Sequence, residues 1–441
     1  MSPSPADHPR AATSVPRRLL LLTILVGLAA PARGQESPPE PASTRLRWAL
    51  QAEARLRPEW RDDADLDSRL DDDSRLGLMR LRVGLLLDAG DRWSLFVQAQ
   101  DSRAAGEEAS TASNERNLDL HQGYVRFTPG AGDGLLRVDA GRQEWAYGDE
   151  RLLGAFGWNN VGRSFDGVRA RVARGRHFLD VLGARVASRQ SGGATSGSGL
   201  YGLYGRAAPR EDAEHEGYLL VFRDGLEAAG ELGSLDSSTV GALGARVKDR
   251  WGRFDLTAEA AVQAGRWRGD DLDAWAGAVQ IGASFGERVI LRPFAGFDFA
   301  TGDEDPSDGR RQEFFNFFPT NHPHYGYADL QGWRNLRGPY AGVRLGAKRH
   351  TALVKGHRFL LEEEAGPWKD AGGEVLGFDP SGSSGSHVGA ELDILYKLAL
   401  EEDVWIEAGA SRFEPGRFAR RTRGADPSHW AYVMFTLALR S

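Results

Sequence analysis

Between residues 45 and 57 the chain alternates strictly. Leu46, Trp48, Leu50, Ala52, Ala54 and Leu56 take the even positions, while Arg45, Arg47, Gln51, Glu53, Arg55 and Arg57 take odd ones. Successive side chains of a strand point to opposite faces, so period two over a dozen residues predicts one long strand with an apolar and a charged face. The pattern returns at 80–88, where Leu81, Val83, Leu85 and Leu87 oppose Arg80, Arg82 and Asp88. At 253–265, Phe254, Leu256, Ala258, Ala260 and Val262 oppose Arg253, Asp255, Thr257, Glu259 and Gln263. Near the end, Val388, Ala390, Leu392 and Ile394 oppose His387, Glu391, Asp393 and Lys397, and Val433, Phe435, Leu437 and Leu439 share one face of 430–440. Each run is about ten residues long, as a tilted strand needs to cross a bilayer, against the ~5–6 usual in soluble sheets. Alternation is broken or short at 118–127, 200–206, 217–223 and 274–285.

The links carry a second rhythm. Tight ones at 89–92, 173–176, 248–250, 286–288, 348–349 and 401–403 alternate with long polar or glycine-rich ones at 61–73, 103–117, 146–164, 189–199, 301–331, 362–385 and 414–429. Short periplasmic turns and long extracellular loops mark outer-membrane barrels. The expected fold is all-β: a transmembrane, antiparallel, up-and-down β-barrel of about eighteen strands, with sixteen as the alternative. A soluble sandwich is the rival, but it would have to hide this many long apolar faces in one unusually large core, whereas a barrel turns them to lipid. Arg17 and Arg18 before the apolar run 19–30, followed by Ala30-Pro31-Ala32, read as a signal peptide over 1–34, cleaved after Ala32 or Gly34. Residues 35–44 read as a periplasmic lead-in and 45–441 as the barrel. No later segment is long and apolar enough for a spanning helix, and mean hydropathy is -0.44.

Composition removes several function classes. The 441 residues include no cysteine, which excludes disulfides, thiol catalysis and thiolate metal sites. With 62 acidic against 55 basic residues and no basic stripe interleaved with aromatics, nucleic acid is not an expected partner. Five of the basic residues are lysine and the rest arginine.

Lipid cannot solvate charge, so the charged face must line the lumen. At this strand number the lumen is too wide for wall side chains to fill, and it holds water unless a loop plugs it. By parity the inward basic residues are Arg47, Arg55, Arg57, Arg80, Arg82, Arg137, Arg169, Arg171, Arg246, Arg253, Arg344 and Lys397. The inward acids include Glu53, Asp139, Asp255, Glu259, Asp298, Glu391, Asp393 and Glu407. Two readings stand side by side. Either the charges pair across strands and keep the wall wet and rigid, or unpaired arginines line a path for anions, whose carboxylates the guanidinium fork meets bidentately. Asn and Gly around 158–166 suit a loop folding inward, from which Arg163, with Arg151, reaches the pore; a structural turn with an interfacial aromatic is the alternative. Phe314, Phe315, Phe317 and Phe318 in the longest link argue that it is packed, as a lid would be.

Other motifs carry less. Gly197 to Gly202 matches a dinucleotide fingerprint but no helix follows, and Gly282 to Gly286 matches a nucleophile elbow but abuts a tight turn. His322 and His324 lie near Asp303, Glu304, Asp305 and Asp308, where solvated loop charge outweighs a cation site. No catalytic residue, cofactor or metal is expected.

Gly141-Arg142-Gln143-Glu144, Tyr147-Gly148-Asp149-Glu150-Arg151-Leu152, Trp158-Asn159-Asn160 and 162–168 (Gly-Arg-Ser-Phe-Asp-Gly-Val) resemble the alginate export family of outer-membrane porins. So do Thr301-Gly302-Asp303, the run 317–322 with Tyr325-Gly326, and 387–393. The resemblance implies an eighteen-stranded monomeric barrel with an electropositive, arginine-lined constriction passing an anionic uronate polymer. The expected function is thus an outer-membrane channel for anionic solutes, extending to export of an acidic polysaccharide such as alginate. Its partners would be outer-membrane lipid, the solute, and periplasmic secretion proteins. The alternatives are a non-selective porin, or a barrel enzyme acting on lipid or ester substrates. The enzyme needs a Ser or Thr with His and an acid on the lipid-facing rim, and no such trio is legible.

Overall fold

A computed structural model of the chain describes residues 46–63, 66, 73–106, 115–130, 136–186, 198–424 and 426–440. The signal peptide and lead-in expected over 1–44 lie outside the described residues. Eighteen long strands form the wall: β1 (Leu46–Asp62), β2 (Ser74–Ala89), β3 (Trp93–Gly106), β4 (Arg116–Phe127), β5 (Leu136–Gln143), β6 (Phe165–Arg174), β7 (His177–Val186), β8 (Gly199–Ala207), β9 (Glu214–Ala229), β10 (Leu235–Trp251), β11 (Phe254–Trp267), β12 (Asp270–Ala283), β13 (Ile290–Ala300), β14 (Leu336–Ala347), β15 (His350–Leu360), β16 (His387–Glu401), β17 (Val404–Pro415) and β18 (Ser428–Arg440). Each pairs antiparallel with its sequence neighbours, and β1 pairs with both β2 and β18: Leu56 lies opposite Met79 on one side and Phe435 on the other. The sheet closes on itself, so no edge is left to be satisfied in hydrocarbon. Among the described residues no helix is long and apolar enough to span a membrane; a short helix, α1 (Arg417–Thr422), caps the link after β17.

Parity is as the alternation predicts. Trp48, Val83, Leu243, Phe254, Ile281 and Leu392 point outward and are exposed on the protein itself, forming the apolar belt that faces lipid, while Arg55, Arg80, Glu259, Asp298 and Asp393 point inward and are buried. Both termini of the barrel lie at the end that carries the links 90–92, 175–176, 252–253, 348–349 and 402–403. The opposite end carries 144–164, 301–335 and 361–386.

Two details correct the sequence reading. The tight link expected at 248–250 is strand: β10 runs on to Trp251, and the turn is Gly252-Arg253, where Gly252 takes φ 61. Charged residues at the watery rim of a barrel strand resemble a turn in sequence, but the left-handed position goes to glycine. The short/long rhythm also lapses on the far end. The links there between β9 and β10 and between β11 and β12 are tight, the second a two-residue turn with positive φ at both Arg268 (55°) and Gly269 (93°).

The weakly alternating segments are all wall strands, and the structure gives the reason. On β6 to β12 the upper inward face is itself apolar: Phe165, Leu182, Leu200, Tyr204, Leu220, Phe222, Val240 and Leu272 are buried inside the barrel. They pack against loop residues Trp145, Leu152, Leu153, Phe314, Phe317 and Trp333 in one continuous cluster. Both faces are therefore apolar there, and period-two contrast vanishes. Bulges at Gln98/Ala99 and Gln100/Ser102 break the pattern between β3 and β4.

Candidate functional site: a lumen narrowed by two inward loops

The links 144–164 and 301–335 fold into the barrel and knit to each other. Leu153 bridges in parallel to Phe318: Gly154 N donates to Phe318 O (2.8 Å), Phe318 N to Leu152 O (2.9 Å), and Thr320 N to Glu150 O (2.9 Å). A latch of rings ties both loops to the wall. Trp158 stacks on His322 (centroids 4.1 Å apart), meets Trp430 and Tyr432 of β18 edge-on, and carries the Arg57 guanidinium 3.9 Å from its centroid. The expectation that the four phenylalanines of 301–331 are packed holds, since Phe314 and Phe317 are buried and Phe315 and Phe318 pack on them.

The arginines of β1 and β2 do something parity alone does not reveal: they hold the plug by its backbone. Arg55 donates to Gly157 O (2.9 Å) and Asn159 O (3.1 Å), and Arg80 donates to the same two carbonyls (3.0 Å each) while pairing with Glu53 (2.6 Å). Arg57 donates to Trp158 O (2.5 Å). Gln100 and Ser102 of β3 add bonds to Val161 O and Asn160 O (2.8 Å each). Arg82 bonds Gln100 (2.6 Å) and Glu144 (3.1 Å). Arg163, on the loop itself, donates to Gly154 O, Phe318 O and Pro319 O (2.5 to 3.0 Å) and so stitches the two loops. Arg151 is buried against Asp298 (3.2 Å) and the Tyr325 hydroxyl (2.6 Å). Glu391 and Asp393 accept from loop amides Ala328 N (2.9 Å) and Tyr327 N (3.4 Å), and Ser411 bonds Asp393 (2.5 Å). Among these groups, then, neither reading of the inward charges applies alone: many are consumed in fixing loops.

Elsewhere charge stays accessible. On the short-turn half, Arg126 of β4, Arg137 of β5 and Arg169 and Arg171 of β6 share two buried aspartates. Asp139 takes Arg126 (2.7 Å), Arg169 (2.8 Å) and Arg137 (3.4 Å), and Asp180 takes Arg171 (2.6 Å). Their side chains keep 15 to 28% exposure, so this wall presents four guanidinium groups against two carboxylates. Across the lumen a cavity of about 580 Å³ opens toward the same end, roofed by Arg151, Pro323 and His324 and walled in part by Asp255, Arg292 and Arg344. Arg292 pairs with Asp255; Arg344 has no side-chain partner among the described residues. His324 Nε2 bonds Asp149 O (2.7 Å), and burial beside Arg151 holds its imidazole well below the usual range, so it sits neutral in the roof. Arg47 and Arg253 lie at the short-turn rim, exposed, Arg47 4.0 Å from Asp88. Arg126 and Arg292 escaped the sequence reading, because β4 alternates poorly and β13 has Pro293 and small residues around it.

One constellation invisible to sequence spacing is Ser164, His121 and Glu144. His121 Nε2 lies 2.7 Å from Glu144 and Nδ1 3.4 Å from Ser164 Oγ. Yet the Ser164 hydroxyl donates to His121 O (2.7 Å), and the adjoining space is about 10 Å³, too small for a substrate. Among the described residues no cluster of His, Asp and Glu is placed to hold a metal ion; His322 instead meets Asp329 (2.9 Å).

A closed eighteen-stranded wall with an outward apolar belt, a polar lumen and inward loops defines an outer-membrane channel protein, located in the outer membrane. The sequence profile described as alginate export matches residues 47–432, and the chain belongs to that family. No curated protein matches it by sequence. Solved structures share the fold. Acinetobacter baumannii OccAB4 aligns with TM-score 0.55 at 10% identity, covering 91% of this chain and 100% of its own. Pseudomonas aeruginosa OccK5 (OpdH) gives 0.60 at 9%, covering 89% and 98%. Pseudomonas aeruginosa OpdK, solved with vanillate, gives 0.56 at 10%, covering 89% and 99%.

Proposed function

We propose that this barrel is a monomeric, anion-preferring diffusion channel that does no chemistry and passes acidic solutes, extending to an acidic polysaccharide such as a uronate polymer. The observation that carries the reading is the wall of Arg126, Arg137, Arg169 and Arg171, which stays partly exposed and outnumbers its two aspartates. Arginine keeps its charge at any working pH and meets carboxylates with a planar fork, so such a wall lowers the cost of moving a carboxylated chain through a narrowed lumen. Membership of the alginate export family supports the uronate as solute class, and the exposed Arg344 at the cavity would continue the path. Acids also face that cavity, among them Asp149, Glu214 and Asp255, so the preference for anions is modest. Purified protein in a planar bilayer under a potassium chloride gradient should give stepwise conductance with a reversal potential on the anion side. A reversal potential on the cation side removes the selectivity claim.

A further inference from the structure

The outward face carries a feature the channel reading does not use. One row of the sheet, just on the loop side of the apolar belt, runs across eight strands: Arg142 pairs in register with Asp166, Asp166 with Arg185, Gly199 with Arg223, Arg223 with Thr239, Thr239 with Arg266, and Arg266 with Asp271. Gly199 also continues the β7–β8 register one step past Ala184 and Leu200, which sets it between Arg185 and Arg223. Arg142 is neutralised by Asp166 (2.6 Å) and Arg266 by Asp271 (3.3 Å). Arg185 and Arg223 are exposed and have no side-chain partner among the described residues. They stand two strands apart, about 10 Å between backbones, within reach of one common anion. Between them a Cβ on Gly199 would lie 2.8 Å from the Tyr201 hydroxyl, so the phenol lies over the glycine between the two arginines. Immediately below, Leu179, Val181, Leu203 and Leu219 are exposed toward lipid.

We infer that this notch binds a phosphate group of an acylated, phosphorylated glycolipid in the outer leaflet. Two exposed guanidinium groups with no side-chain partner among the described residues, and a phenol above an apolar wall, match a headgroup phosphate above acyl chains, and the arginine fork meets phosphate bidentately. An uncompensated cation facing outward is stable at this depth only where its stem lies on the apolar surface and its head reaches the interface. A free phosphate ion would gain nothing from the aliphatic wall. The inference is independent of which solute the lumen passes.

The test is a binding titration of the purified full barrel in detergent with three probes: diphosphoryl lipid A, its dephosphorylated form with the same acyl chains, and inorganic phosphate. The wild type is expected to bind the diphosphorylated lipid at least tenfold more tightly than the dephosphorylated one. R185A/R223A should lose at least tenfold for the former only, R185K/R223K should recover part of that loss, and R47A, at the short-turn rim, should leave the lipid affinity as in wild type. Each variant is checked for the heat-dependent gel shift of a folded barrel, with the single variant R223Q replacing the double one should that shift be lost. Binding by R185A/R223A (or R223Q) within twofold of wild type, or competition by inorganic phosphate at equal concentration, overturns the inference.

Discussion

Replacing both Arg55 and Arg80 with alanine should release the 156–163 segment into the lumen without unfolding the barrel. The two side chains make four hydrogen bonds of 2.9 to 3.1 Å to only two carbonyls, Gly157 O and Asn159 O. A hydrogen bond from a charged donor contributes about 1.5–3 kcal/mol, which gives about 6–12 kcal/mol if all four counted in full. They do not. Water rehydrates the freed carbonyls, and Arg55 and Arg80 are cross-strand partners whose mutual repulsion disappears with them. A value at or below the bottom of that range, about 4–6 kcal/mol, is therefore expected for the pair, and less than half of it for either single variant. About 5.5 kcal/mol carries a two-state element from 99:1 to 1:99, so the loop should leave its docked state for a large fraction of the time. Gln100, Ser102 and the Trp158 latch still tether it, which makes the change an opening and closing and not a permanent loss. Single-channel recording should show a larger conductance level with added gating noise, while the gel shift stays that of a folded barrel. Conductance and noise equal to wild type in the double variant would refute the anchoring role.

Two further outcomes follow from the site. R137A/R171A leaves two arginines against Asp139 and Asp180 on the basic wall, and its reversal potential should move toward zero while conductance changes little; an unchanged reversal potential places selectivity elsewhere. In the outer loops, burial and the Asp303 carboxyl push the Glu231 carboxyl up to about 7, above its ordinary 4.5. A raised value in the folded state means that the contact between the Glu231 and Asp303 carboxyls is fully present below about pH 4.5 and weakens as pH rises through about 7. Exchange protection of the Gly230 amide, which bonds Ser234 O (3.0 Å) across the same link, should therefore fall between pH 5 and 8 after correction for the intrinsic rate, and E231Q should flatten the profile; an identical profile in E231Q contradicts this.

The sequence displays the lipid boundary more clearly than the lumen. Runs such as 45–57 and 80–88 have one face on hydrocarbon and the other on charge or water, and that contrast is written directly in period two. Where the inward face packs on a loop, as at Leu200, Tyr204 and Phe222, the contrast is between two apolar environments and leaves no trace. Parity therefore placed Arg55 and Arg80 inside but could not say whether they face water or a backbone carbonyl, because the loop carbonyls that hold them come from about 80 to 100 residues away. The packing of 301–331 was legible, since clustered phenylalanines rarely sit in a solvated loop of that length, whereas the asparagines and glycines of 158–166 allowed an inward fold and a structural turn equally. The Ser164, His121 and Glu144 cluster was not legible, since strand β4 and the two ends of the 144–164 link bring it together. Its enclosed geometry shows why proximity alone does not make a nucleophile.

The central claim is that the loop-narrowed lumen passes carboxylated chains in preference to neutral ones of the same size. Liposome swelling with uronate oligomers and neutral glucose oligomers of matched length tests it directly. Faster swelling with the uronates, reduced by R137A/R171A, is the predicted result; equal or slower swelling with the uronates would contradict the account.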